Sequence, residues 1–257
     1  TQVTMAARWP GKIKPGKVVN EFVNLMSLGP TFLEAAGEKP LDNMVDSILP
    51  LLTSDDAGKD DSGYVITGRE RHSTFARTKG LPYPSRAIRT KDFLYIHNFA
   101  PDRWPIGAPN GFEDPDFLTD PTEIENLLAA GFPGRKVSES FADIDNGPTK
   151  VWMLANRDTV DVRPKFDLTF GKRPARELYD LRVDPHHMNN IASVSGYKNI
   201  LEELHKELFS VLEDRNDPRV TETDDCKFDK YPYAGMPDLD WFNEVGNDSV
   251  VPPPIPF

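Results

Sequence analysis

Twenty-four prolines cut this chain of 257 residues into short pieces. Each proline lacks a backbone N–H and fixes φ, so no helix or strand runs far before it is interrupted. The elements must be short and the connections between them long and irregular. The stretch 99–147 is the extreme case, holding Pro101, Pro105, Pro109, Pro115, Pro121 and Pro133. Three apolar-rich runs escape this punctuation early and read as strands: Tyr64–Gly68, Ser85–Thr90 and Phe93–Asn98. The last two are joined at Thr90-Lys91-Asp92 as a hairpin. Glu177–Leu181 reads as a further strand, after which Asp184-Pro185 turns the chain. The best helix is Tyr197–Leu212, because Ile200, Leu201, Leu204, Leu208, Val211 and Leu212 fall on one face. Shorter helices are predicted from Pro30 to Gly37, from Asp120-Pro121 through Leu128, and after Pro148 over Val151–Leu154. Ala6–Trp9 reads as a strand ended by Pro10-Gly11, as though the chain were entered mid-strand. The tail from Pro218 onward, with Pro252-Pro253-Pro254, reads as extended and weakly packed.

Charge narrows the function classes. Thirty Lys+Arg against 41 Asp+Glu give a net charge of -11, which argues against nucleic acid as a partner. No run approaches the ~18 apolar residues needed to span a bilayer, so no membrane segment is predicted. Thr1–Arg8 has neither the charged start nor the apolar stretch of a signal peptide. The single cysteine, Cys226, can form neither an internal disulfide nor a thiolate zinc site. Its acidic surroundings disfavour the thiolate and hence a nucleophilic role.

One segment runs against the overall charge. Arg69, Arg71, His72, Arg77, Lys79, Arg86, Arg89 and Lys91 stand against the single acid Glu70. Guanidinium forks bind planar or tetrahedral oxyanions through paired hydrogen bonds, so the segment is a candidate site for sulfate, phosphate or carboxylate. The plainer alternative is a solvated strand face whose charges are balanced by distant acids. Alternation along a strand would put Arg69 and Arg71 on one face and His72 on the other, so the three meet one ligand only if the strand ends there.

Several pieces occur in a recognisable order. Arg8-Trp9-Pro10-Gly11-Lys12-Ile13-Lys14-Pro15-Gly16 comes first, then Leu28-Gly29-Pro30-Thr31-Phe32-Leu33-Glu34-Ala35-Ala36-Gly37 and Leu49-Pro50-Leu51-Leu52. Gly68-Arg69-Glu70-Arg71-His72, Ser85-Arg86-Ala87-Ile88-Arg89-Thr90, and Glu177-Leu178-Tyr179-Asp180-Leu181 with Asp184-Pro185 and Asn190-Ile191-Ala192 follow. Over about residues 5–220 the series resembles the C-terminal half of a type I, formylglycine-dependent sulfatase. The Gly-Arg-Glu-Arg-His piece with the hairpin is most similar to the N-sulfoglucosamine sulfohydrolase branch.

The resemblance implies an α/β fold. Residues 1–75 would end an alkaline-phosphatase-like sandwich. Residues 76–220 would form a smaller α+β domain with an antiparallel sheet, a packed C-terminal helix and a loop-rich insertion at 99–147, and 221–257 an extended tail. It also implies hydrolysis of sulfate esters or sulfamates on a sulfated carbohydrate, the upstream half of the enzyme as partner, and a periplasmic, secreted or lysosomal setting, with a homodimer allowed. The alternatives are a non-catalytic glycan- or anion-binding module and a phosphatase or phosphodiesterase of the same superfamily. The family's calcium and formylglycine are implied too, but their residues are absent here. No Cys-x-Pro-x-Arg motif occurs, and the resemblance places the family's paired aspartates and its Asp-Asn/His-Gly calcium segment upstream of residue 1. Ser27, Asp46 and His187 stand where Asp, Gly and Glu are usual in the family.

No catalytic or metal-ligating residue is therefore assigned. His72 is the best substrate contact, with Arg69 and Arg71 beside it, and Trp104 is the tryptophan best placed to stack on a sugar. His186-His187 reads as a loop pair after Asp-Pro, since adjacent histidines rarely converge on one metal. Asp143-Ile144-Asp145-Asn146-Gly147 resembles a calcium loop but lacks the distal bidentate acid.

Overall fold

The structure is a computed structural model that describes residues 3–54, 63–73, 76–77, 80–110, 116–130, 134–222 and 226–230, with the backbone alone at 134–136. Lys79, the acidic loop at 55–62 and everything after 230 lie outside the described residues.

The chain begins irregularly. Ala6–Trp9 is not a strand: no strand among the described residues lies beside it, and the Trp9 carbonyl instead accepts from the N–H groups of Lys12 and Ile13 at 3.1 and 2.9 Å. A strand without a ladder has nothing to hold its extended backbone. Helix α1 spans Leu28–Ala35, two residues ahead of the expected Pro30 start. It ends as predicted at Gly37, which takes φ 85°. The Glu38 and Gly37 N–H groups then bond back to the Leu33 and Glu34 carbonyls at 2.9 and 3.0 Å, the Schellman closure. Helix α2 spans Leu49–Thr53, tied to α1 where the Ile48 N–H donates to the buried Thr31 hydroxyl at 2.9 Å.

The centre is a four-stranded antiparallel sheet in the order β1 (Val65–Arg69), β2 (Ser85–Arg89), β3 (Phe93–Asn98), β4 (Arg176–Asp180). The register lines up Ile66 with Ile88, Ile88 with Tyr95 and Tyr95 with Leu178. This apolar row packs on Leu201, Leu208 and Leu212 of the long helix that follows β4 (Lys198–Asp214) and makes one core. The opposite face carries Asn98, Glu177 and Tyr179, where the buried Glu177 carboxylate accepts from Asn98 Nδ2 at 2.7 Å and Tyr179 Oη at 2.6 Å.

Between β3 and β4 the described residues of the proline-rich stretch form helices α3 (Pro121–Ala130), α4 (Gly134–Glu139), α5 (Pro148–Ala155) and α6 (Arg163–Phe170). Asp120 accepts from the Thr122 N–H at 2.9 Å and caps α3 as its sequence indicated. Helices α4 and α6 were not legible. Each is under three turns, and α6 marks its buried side by two residues alone, Phe166 and Phe170. Phe117, Leu118, Val137, Phe141, Val151, Leu154, Phe166 and Phe170 form a second core.

The tail expectation is corrected over 218–222 and 226–230. The helix Lys198–Asp214 is α7. It is followed by α8 (Pro218–Thr221) and α9 (Lys227–Lys230), and Cys226 is buried between them. Ion pairs from Asp217, Arg219 and Asp229 tie this segment down beside the core contact of Val220, and ion pairs leave no hydrophobic pattern to read.

His97 of β3 sits on the α7 face, edge-on to Phe99 and Phe209 and beside His205, with Tyr95 Oη 3.3 Å from its Nδ1 and 2.9 Å from His205 Nδ1. Burial, then the nearby His205 and Arg176 charges, push its pKa down to about 4. A depressed folded pKa means that this packing is fully in place above the ordinary value of 6.5 and is lost as pH falls toward 4. We expect roughly 1–3 kcal/mol of stability to disappear over that window, and His97→Phe to flatten it. Denaturant melts at pH 7, 5.5 and 4.5 check this; identical slopes for the wild type and the variant would contradict it.

Candidate functional site

Strand β1 ends at Arg69, so the face alternation that would have separated Arg71 from His72 no longer applies to them. The pleat instead divides the arginines of the hairpin. Arg86 lies in register with Gly68 and shares the α7 face with it, while Arg69 points to the other side. Gly68 makes room for this: a Cβ there would stand 2.9 Å from Arg86 Cδ.

On the Arg69 side the organiser is Asp143, whose side chain is 0% exposed. Its Oδ2 accepts from Arg69 Nη2 at 2.9 Å and Arg77 Nη2 at 2.5 Å. Its Oδ1 accepts from the Ser73 N–H at 3.2 Å and faces His72 Nδ1 at 3.5 Å. Arg77 is buried and also donates to the Trp104 and Pro105 carbonyls, both at 2.7 Å. Burial lowers the Arg77 pKa against the opposing pull of Asp143. His72 remains 63% exposed and Arg69 37% exposed at the side chain.

On the other side Arg86 binds Asp217 through Nε at 2.7 Å and Nη2 at 3.1 Å, and reaches Glu70 at 2.8 Å. Arg219 of α8 grips Glu70 at 2.6 Å and Asp229 at 2.7 Å, and Arg103 holds Asp229 at 2.8 Å. Burial opposes the charge on Asp229, but the Arg103 and Arg219 hydrogen bonds outweigh it and hold the carboxyl below its usual range. Burial likewise opposes the Arg86 charge and is outweighed by Asp217 and Glu70.

The four residues singled out from sequence thus separate. Arg69 and His72 meet at Asp143. Arg71 turns the other way, its Nη2 donating to the Phe228 carbonyl at 3.2 Å. Trp104 joins the node through its backbone carbonyl, while its indole packs edge-on against Phe141 at 5.6 Å. The Lys172 ammonium lies 5.4 Å from the Trp104 ring centre, at a cleft of about 330 Å³ also lined by Arg163 and Phe166. Asp143 was missed as a partner. Its sequence neighbourhood resembles a metal loop, and only the tertiary fold carries it across to residues 69–77.

The described residues do not fit the calcium and formylglycine that the resemblance implies. Cys226 is buried and followed by Lys227-Phe228, not x-Pro. Among the described residues no three His, Cys, Asp or Glu side chains cluster as a metal site. Nor is any described helix long and apolar enough to cross a membrane.

No family model matches the chain. Two curated relatives do, both ulvan-active sulfatases of Formosa agariphila. One is 29% identical over 217 residues, covering 84% of this chain and 34% of its own length. The other is 24% identical over 211 residues, covering 79% and 27%. A solved structure in complex with its substrate D-glucosamine-2-N,6-O-disulfate aligns with TM-score 0.46 and 19% identity, covering 84% of this chain and 29% of that one. The antiparallel sheet with its packed C-terminal helix is an α/β architecture. The chain is homologous to sulfatases over a C-terminal portion of their length, and it spans about a third of the curated relatives it matches.

Proposed function

We propose that this chain serves as the C-terminal portion of a sulfatase that removes sulfate from a sulfated polysaccharide outside the cytoplasm. The observation that carries the proposal is the alignment with an ulvan-active sulfatase along 84% of the chain. The exposed apolar side chains of the first part agree with it. Val18, Leu25, Met26, Phe32 and Leu41 are 78, 59, 58, 67 and 62% exposed, apolar surface that the rest of such an enzyme would cover. In this reading nucleophile, calcium and most of the positive charge on the sulfuryl group come from the upstream portion. Arg69 and His72 supply contacts to the sugar or a flanking sulfate, and Trp104 borders the same region.

Two substrates follow from different supports. The relatives favour ulvan; the Gly68–His72 motif with its hairpin favours N-sulfoglucosamine. The experiment is sulfate release by the gene product extended through its upstream portion, assayed on ulvan and on N-sulfated heparan oligosaccharides. Turnover of either supports the proposal and the faster substrate selects between them. The chain of 257 residues alone releases no sulfate in the same assay. Hydrolysis of phosphate esters but not sulfates would move the protein to the phosphatase alternative.

A further inference from the structure

We propose that Asp143 is a positioning residue that presents Arg69 and His72 together as a two-point clamp for one sulfated saccharide unit. The proposal rests on the sulfatase reading above. The Asp143 side chain is completely buried, yet among the described residues every group its carboxylate meets belongs to the stretch 69–77, while its N–H donates to the Ile106 carbonyl at 2.9 Å. Its two oxygens divide the work. Oδ2 takes Arg69 and the buried Arg77, at 2.9 and 2.5 Å. Oδ1 takes the Ser73 N–H at 3.2 Å and faces His72 Nδ1 at 3.5 Å. Arg77 is the structural half of this arrangement, because it is locked to two backbone carbonyls and has no surface to offer. Arg69 and His72 are the presented half.

Arg69 commits one nitrogen to Asp143, and among the described residues its Nε and Nη1 make no hydrogen bond. With Nδ1 turned to the carboxylate, His72 keeps Nε2 for a ligand. Two guanidinium charges against one carboxylate leave the node positive. The remaining guanidinium N–H groups fit sulfate oxygens singly, and the imidazole Nε2 fits an adjacent sugar hydroxyl, as acceptor when neutral and donor when protonated. Arg71 takes no part, because its Nη2 donates to the Phe228 carbonyl.

A carboxylate opposite Nδ1 forces the proton of the neutral ring onto Nδ1, whereas a free imidazole prefers Nε2–H. Nitrogen-15 NMR of His72 in the intact protein should therefore report the Nδ1–H form, moving toward Nε2–H in D143N. In the enzyme that includes the upstream portion, D143N and H72A should each raise KM for glucosamine 2-N,6-O-disulfate or ulvan oligosaccharide about tenfold, the loss of one charge-assisted hydrogen bond. They should leave kcat within about twofold. The double variant should be no worse than D143N alone, because that change already loosens His72. An Nε2–H ring in the wild type, or additive effects in the double variant, overturns the proposal. If D143N does not fold, the wild-type tautomer decides alone. If the wild type hydrolyses no sulfate, the sulfatase reading fails and the tautomer still judges Asp143.

Discussion

Arg86→Ala should be among the most destabilising single changes in this protein, costing about 3–5 kcal/mol. The side chain is 8% exposed, and it joins Asp217, the N-cap of α8, to Glu70 after β1. Truncation leaves Asp217, 15% exposed, without its guanidinium partner, and Glu70, 23% exposed, with Arg219 as its remaining one. Replacing a whole buried pair by apolar groups can be neutral, but removing one partner is not, because the remaining charge keeps its desolvation cost. The loss should also reach the C-terminal segment, since Glu70 is the shared acceptor of Arg86 and Arg219. Thermal melting should fall by roughly 10 °C, and limited proteolysis should cut near 218–230 earlier than in the wild type. A melt within 2–3 °C of the wild type would show that the network is not coupled to the fold. Gly68→Ala is the milder companion, because its Cβ would displace the Arg86 side chain without removing the charge.

Phe141→Ala should cost a similar amount, about 3–5 kcal/mol, by a different mechanism. Phe141 is 0% exposed at the centre of the second core. Its ring meets Trp104, Phe166 and Phe170 edge-on at 5.6, 6.3 and 4.9 Å. Truncation removes the contacts of all three at once in a core whose short helices have few other anchors. Phe141 also takes φ 50°, in the left-handed region, so replacement by a smaller β-carbon-bearing residue gives no backbone relief. Denaturant unfolding should show a lower midpoint, and Leu208→Ala in the sheet core provides the comparison. If Phe141→Ala costs less than about 1 kcal/mol, the loop-rich stretch is not a cooperative core. Asp143 lies two residues on, so this variant should also disturb the Arg69–His72 node. Arg176→Ala, whose Glu202 pair is solvent-exposed, should not.

The parts legible in sequence are those dictated by local periodicity and chain punctuation. The hairpin 85–98 was readable because alternation and a turn coincide, and α7 because six apolar residues repeat at helical spacing over four turns. Gly37 announced the end of α1 because few other residues accept φ 85° cheaply. Ala6–Trp9 failed as a strand for a reason outside itself: its composition allows extension, but only a neighbouring strand could fix it.

The basic segment marks the division most clearly. Sequence alone determined that residues 69–91 concentrate positive charge in an acidic chain, and that this charge must be answered by oxyanions somewhere. It could not say which ones. Asp143, Asp217 and Asp229 lie 74, 131 and 126 positions from Arg69, Arg86 and Arg103 respectively. Neither expectation for the segment was complete. The arginines are not a solvated face, since Arg77 and Arg86 are buried, and several are already occupied by the protein's own carboxylates. Hydrophobic patterning is a one-residue property repeated along an element, so a sequence carries it openly. An ion pair belongs to two residues, and the chain encodes only that each half exists. The end of β1 at Arg69, the pleat that sends Arg69 and Arg86 to opposite faces, and the return of 143 and 217–229 to those faces paired each charge with its partner. They also left His72 and an edge of Arg69 facing outward.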